Sequence, residues 1–455
     1  MDESKYSSRK ASDYAKERLS KRTFSTLSTG STSTSVASKI DSRPAVVIEI
    51  GNRLTRIGFA GEFTPREIFQ TQYIDPLNPG IVQALFEENY SEEKQYLILV
   101  QFLRDIVFRK LLTTINRRRV IIIESLFTPT KIRHAIGKAL FECPSLAPYS
   151  VLFAPSHLLC TFPFNAKTCL VVDIATKETV IFPIAEGVLM LNNFEFSPIC
   201  TSTIEENLER LLLNHAKIRT ISNAAIREFS HSDLALLKKY NMVEDIVFRF
   251  CFATTMERGR RIQAHEEPEN PPTDVEIPFD AETLIVPGFI REAASEVLFT
   301  DSSLDNRSIV QMILDVIMKV PYDLRRVFVQ NLLITGGIAR MPGLLHRVKE
   351  EMLRLMWEDN NYFKKFFGEK TKDNTDKERI ARLEDLPVPR FYRFDKDIGA
   401  EFYCAWLGGS MFGTLDIVED RSITREDWLS AEIKAVPDWT NKIDDYFRNF
   451  EPKSR

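Results

Sequence analysis

Apolar residues first gather at Ala45-Val46-Val47-Ile48-Glu49-Ile50, after which Gly51-Asn52 turns the chain and Leu54-Thr55-Arg56-Ile57-Gly58-Phe59 returns it. A short, largely β-branched run closed by a polar turn predicts a buried strand and a tight hairpin with a carboxylate near its tip. The arrangement recurs at Cys169-Leu170-Val171-Val172-Asp173, with a turn over Ile174–Lys177 and a return strand Glu178–Pro183 closing on Glu186-Gly187. Two such units predict an internally duplicated α/β fold. Between them, Val120–Glu124 reads as a buried strand and Thr128-Pro129-Thr130 as a helix start. Ile132, Ile136, Ala139 and Leu140 follow at helical spacing, and Val151–Pro155 forms another short strand. Strands alternating with helices imply parallel pairing with helical layers around the sheet.

Late in the chain Asn331-Leu332-Leu333-Ile334-Thr335 runs into Gly336-Gly337, and Met341-Pro342-Gly343 opens a helix predicted over Leu344–Met356. Two glycines at the carboxyl end of a strand let a backbone approach a ligand closely. Residues 357–395 are charged and irregular and predict a surface insertion, while Ala405-Trp406-Leu407-Gly408-Gly409-Ser410 starts a helix whose small residues permit close packing. Residues 1–43 are rich in Ser and Thr with little that is apolar, which predicts a disordered tail. Asp2, Glu3, Asp13 and Glu17 suit a transit peptide poorly.

Composition narrows the function classes. A formal charge of -4 on 455 residues supplies no positive field for nucleic acid or an anionic membrane. No apolar stretch suits a signal-peptide core or a membrane span, and the six cysteines lie in or beside apolar runs without a C-x-x-C pair. The expectation is buried, reduced thiols in a cytosolic or nuclear protein. The six histidines form no H-x-x-x-H or mixed Cys/His cluster, so no metal site is expected. Ser156-His157 looks like a dyad, but the two side chains are expected to point apart, with no positioned acid. Arg117-Arg118-Arg119 reads as a solvated strand edge.

From about Ala45 to about Trp428 the sequence resembles actin and the actin-related proteins. The resemblance is carried by Val47–Gly51 with Gly58–Gly61 and Pro65-Arg66; by Val120–Glu124; by Val172-Asp173 with Pro183-Ile184 and Glu186-Gly187; by Asp323–Arg326 with Thr335–Gly337 and Pro342-Gly343; and by Trp406–Ser410. It implies the actin-like duplicated fold, two ribonuclease-H-like halves around a central cleft. The first half would span 44–172, with a reduced outer subdomain at about 66–119, completed by about 396–455. The second would span 173–395, including the insertion at about 357–395.

The resemblance further implies a degenerate nucleotide cleft bordered by Glu49, Gly51, Arg56, Asp173, Gly336 and Gly337. The first phosphate loop lacks its second glycine, the second loop lacks both, and Ala154-Pro155 stands where the family places the glutamine that positions attacking water. Val247, Phe248 and Phe402 fall where polar side chains would border adenine. The expectation is therefore no catalytic residue, no metal, and either no cofactor or ATP/ADP held without hydrolysis.

Within the family, Arg118–Ser125, Leu152–Leu158 and Ala405–Gly409 are similar to the actin-related class, numbered ten or eleven, at the pointed end of dynactin. That implies dynactin filament subunits as partners, dynein and microtubules indirectly, and a cytoplasmic, cytoskeletal location, with no nucleic acid and no membrane spanning. Leu344, Met352, Met356 and Trp428 are the candidate docking anchors. An actin-related subunit of a nuclear chromatin-remodelling complex is the alternative. A sugar kinase or chaperone-like ATPase on the same duplicated fold would need intact glycine loops.

Overall fold

The structure is a computed structural model that describes residues 43–75, 82–87, 89–220, 225–266, 269–300, 307–358, 388–394, 400–431 and 436–437. The predicted tail, apart from Arg43, and the body of the predicted insertion at 359–387 lie outside the described residues.

The first apolar run forms the strand Val46–Ile50, which pairs antiparallel with Leu54–Phe59 and parallel with Arg119–Glu124. Ser150–Pro155 continues the parallel side and Glu67–Gln70 the antiparallel side, and the short strand Ile423–Thr424 closes the six-stranded sheet beyond Ser150–Pro155. The second hairpin repeats the scheme. Cys169–Ile174 pairs antiparallel with Thr179–Ala185 and parallel with Leu332–Gly336. A separate antiparallel sheet of Ile226–Glu228, Lys217–Thr220, Glu282–Val286 and Val275–Phe279 decorates the second half.

Strand alternation sorts the core into layers, because successive side chains point to opposite faces. Val46, Ile48, Val120 and Ile122 face the outer helices, with Leu99, Phe102 and Ile136. Their neighbours Val47, Ile121 and Ile123 join Val171, Ile184 and Leu333 of the second sheet in one shared core between the halves. The helix Cys404–Phe412 packs into that shared core. Trp406 is fully buried and its indole N–H donates to the Val47 carbonyl at 3.2 Å. The predicted small residues serve the predicted purpose: a Cβ on Gly408 would stand 1.8 Å from the Leu159 carbonyl oxygen.

The end of the segment read as a surface insertion is a sheet neighbour instead. Leu332 N–H donates to the Arg390 carbonyl at 2.9 Å and Tyr392 N–H to the Leu332 carbonyl at 2.8 Å, so Phe391 lies parallel beside Leu332. This extends the second sheet where Ser150–Pro155 extends the first. The rings of Tyr392 and Phe394 meet Phe164 at 5.4 and 4.4 Å. The four anchor candidates are core as well: Leu344 and Met352 are fully buried, Met356 is 3% exposed and Trp428 1%, the last stacked on Phe141. Side chains without solvent contact cannot anchor a partner. Among the described residues no helix is long and apolar enough to cross a membrane.

Candidate functional site

The two hairpin tips face one cleft, and they differ in one register position. Glu49 stands opposite Arg56 in the first hairpin, and the same offset in the second places Asp173 opposite Val180. Arg56 Nη1 therefore donates to Glu49 Oε1 at 2.6 Å, while Glu49 Oε2 is buried with no hydrogen-bond partner among the described residues. Burial raises the Glu49 carboxyl pKa and Arg56 opposes the rise. Asp173 has no cation opposite, and burial pushes its carboxyl up to about 6 against a smaller pull from Arg56. His157 Nε2 lies 3.7 Å from Asp173 Oδ2, but burial lowers that imidazole to about 4 and keeps it neutral at pH 7.

Each tip consumes its own turn amide. Gly51 N–H donates to the Leu54 carbonyl and Ala175 N–H to the Glu178 carbonyl, both at 3.1 Å. The carbonyls of Ala175 and Thr176 in turn accept from Thr201 and Ser202 N–H at the start of the helix Thr201–His215, again at 3.1 Å. Gly336 has φ of +100°, and a Cβ there would stand 2.2 Å from the Ile174 carbonyl oxygen. Only glycine fits between these strands, whatever the cleft holds. Over Gly337 sits the ring of Phe248, whose Cζ lies 3.2 Å from where a Cβ would be. Val247 is buried in the core, while Phe402 is partly exposed beneath the Arg340 guanidinium.

The structure brings Glu49, Arg56, Asp173 and Gly336 together, with Gly51 and Gly337 close by in the chain, and adds a residue that was not singled out in the sequence. Arg53, at the tip of the first hairpin, reaches the second half. Its Nη1 and Nη2 donate to the two carboxylate oxygens of Glu205 at 2.6 and 2.8 Å, and Glu244 Oε1 lies 3.3 Å from Nη1. Separation by 152 positions left no local signal for this pair. The Ser156–His157 reading needs correction. Ser156 Oγ and His157 Nδ1 do meet, at 3.4 Å, and Asp173 supplies an acid on the far side of the ring. Both contacts are long and His157 is 1% exposed, so the order of residues imitates a triad without giving a substrate access to it.

All six cysteines are free and buried, as expected, and among the described residues no group of three or more His, Cys, Asp or Glu side chains is arranged for a metal. The residues of the cleft do not fit a nucleoside triphosphate. Glu49, Asp173, Glu178, Glu205 and Glu244 border it, against Arg53 and Arg56, and each arginine is already ion-paired. Lys177, at the second turn, is exposed and lies within electrostatic reach of Glu178. Each unopposed like-charge contact at about 4 Å costs roughly 1 to 4 kcal/mol between water and a protein surface. Where attacking water would be oriented, Ala154 offers a methyl group that is 3% exposed.

Two strand-paired hairpins facing a cleft, on sheets that repeat the same mixed order and share one core, define an actin-type duplicated fold. The chain belongs to the actin family, whose model, described as Actin, matches residues 94–436. The altered first hairpin precedes that span. Over 88% of this chain and 90% of the relative, it is 24% identical to Actin-related protein 10 of Dictyostelium discoideum. It is 20% identical to Putative actin-29 of the same organism, over 86% and 96%. Actin-related protein 4 of Schizosaccharomyces pombe is 21% identical over 85% and 94%.

Proposed function

We propose that this chain is a noncatalytic actin-related subunit that caps the pointed end of the short actin-related filament of dynactin, and so serves dynein-driven transport along microtubules in the cytoplasm. The reading rests on the expectation from the family resemblance that the outer region at 66–119 is shortened. The described part of that region consists of the edge strand Glu67–Gln70, the small hairpin Gln72–Ile74 with Val82–Ala84, the helix Glu92–Arg104 and a π-helical end, Asp105–Lys110. A subunit that lacks the outer loop for the next protomer ends a filament, because a head-to-tail interface propagates only if each copy presents both faces. The similarity to Actin-related protein 10 along nearly the whole of both chains supports the same class.

A stable cap needs a standard interface of about 1,200 to 2,000 Å² with apolar anchors. With Leu344, Met352, Met356 and Trp428 in the core, the apolar side chains free to dock include Met411, Leu415 and Ile417 of the C-terminal segment, 42–47% exposed. Tagged pull-down from cytosol with counting of copies tests the proposal. One copy per dynactin particle is expected. Several copies per particle would mean an interior subunit, and recovery with nuclear remodelling subunits would establish the alternative.

A further inference from the structure

We propose that Arg53 is a built-in clamp that holds the two halves of the cleft together, in the place of a nucleotide that bridges them. The inference starts from position. Arg53 lies at the tip of the first hairpin, and its backbone is fixed there, because the Arg53 carbonyl accepts from Thr71 N–H at 2.8 Å. Its partners belong to the other half. Glu205 sits one turn into the helix whose first amides, on Thr201 and Ser202, cap the second hairpin turn. Glu244 sits on the next helix but one, Met242–Phe250, beside Phe248, whose ring covers Gly337. One guanidinium therefore ties together the first loop, the helix behind the second loop, and the element that covers the glycine pair.

The geometry is that of a deliberate contact. Both oxygens of Glu205 are engaged in a two-pronged pair, which fixes direction as well as distance. The side chains of Arg53, Glu205 and Glu244 are 29%, 12% and 27% exposed, so the pair is shielded more than an ordinary surface ion pair. The rest of the cleft agrees. With Arg56 committed to Glu49 and Arg53 to Glu205, both guanidiniums of the first loop are already ion-paired, so a polyphosphate there would have to displace a carboxylate from one of them. The cleft of this chain is bridged by its own side chains.

Amide hydrogen exchange on the purified full chain tests this, read at residues 50–56, 174–178 and 201–205. Arg53→Ala and Glu205→Gln are each expected to speed exchange at all three stretches by about tenfold or more, with Arg53→Lys between them and wild type, because a point charge cannot make the two-pronged contact. Millimolar MgATP or MgADP should leave wild-type exchange unchanged, and high salt should open the wild-type cleft in the same three stretches. Protection of those amides by either nucleotide in the wild type would overturn the proposal. So would exchange in Glu205→Gln and Arg53→Lys that matches wild type. Should Arg53→Ala fail to fold, those two variants and the salt series on unaltered protein still decide the question.

Discussion

His157 and Asp173 lie 3.7 Å apart, and burial displaces their protonation in opposite directions. The Asp173 carboxyl, at about 6 in the fold against 3.8 unfolded, keeps its proton longer in the native state, so its contribution falls as pH rises from about 4 to 6. His157 is near 4 in the fold against 6.5 unfolded. The unfolded chain then binds the extra proton, and the contribution of His157 rises with pH over about 4 to 6.5. Each effect amounts to about 3 kcal/mol across its window, and in the wild type the two oppose each other. Substitution separates them. Relative to wild type, His157→Gln should lose stability as pH is raised from 4.5 to 6, and Asp173→Asn should gain it, by denaturant titration at each pH. Both variants following the wild-type profile would contradict the assignment. Glu49 was legible in the sequence as a carboxylate near the tip of a tight hairpin, and Arg56 only through the family resemblance; that the two face each other comes from the strand register. The Arg53–Glu205 pair was not legible, since it depends on how two distant elements are brought together.

At the scale of elements, close approach of backbone to backbone decides where glycine is required. The helix Cys404–Phe412 seats on the Leu159 carbonyl through Gly408, whose Cβ would stand 1.8 Å from that oxygen, whereas a Cβ on Gly187 would meet nothing within 4 Å despite a φ of +76°. Gly408→Ala must push a buried helix off its support and is expected to cost about 3 kcal/mol; Gly187→Ala meets only backbone strain, about 1 kcal/mol. Equal denaturation midpoints for the two variants would show that the helix can shift freely. The strands Val46–Ile50, Arg119–Glu124 and Cys169–Ile174 announced themselves because each carries three or four consecutive buried apolar residues before its carboxylate, as expected of a strand covered on both faces. The extension around Phe391 did not, because a single bridging residue between Pro389 and Arg393 has no alternation to read. The small four-stranded sheet was missed for a related reason: its strands are three to five residues long and carry charged residues on their outer faces.

At the scale of the whole molecule, duplication is visible. The two hairpins still enter matching sheets and share a core of Val47, Ile123, Val171 and Leu333, which is why the family could be recognised from strand order and glycine positions. The cleft is where turn chemistry and charge bear on a nucleotide: both arginines of the first loop are ion-paired and Ala154 is buried. The fold is written in buried apolar runs, whereas the proposed loss of catalysis rests on a handful of loop positions. The most direct test of the central claim is single-turnover phosphate release from ATP by the purified chain, with and without Mg²⁺. No release above background is expected, and none regained by Ala154→Gln, because the turn amides at Gly51 and Ala175 are already bonded within their own hairpins. Metal-dependent release by the wild-type protein at rates typical of an actin would contradict it.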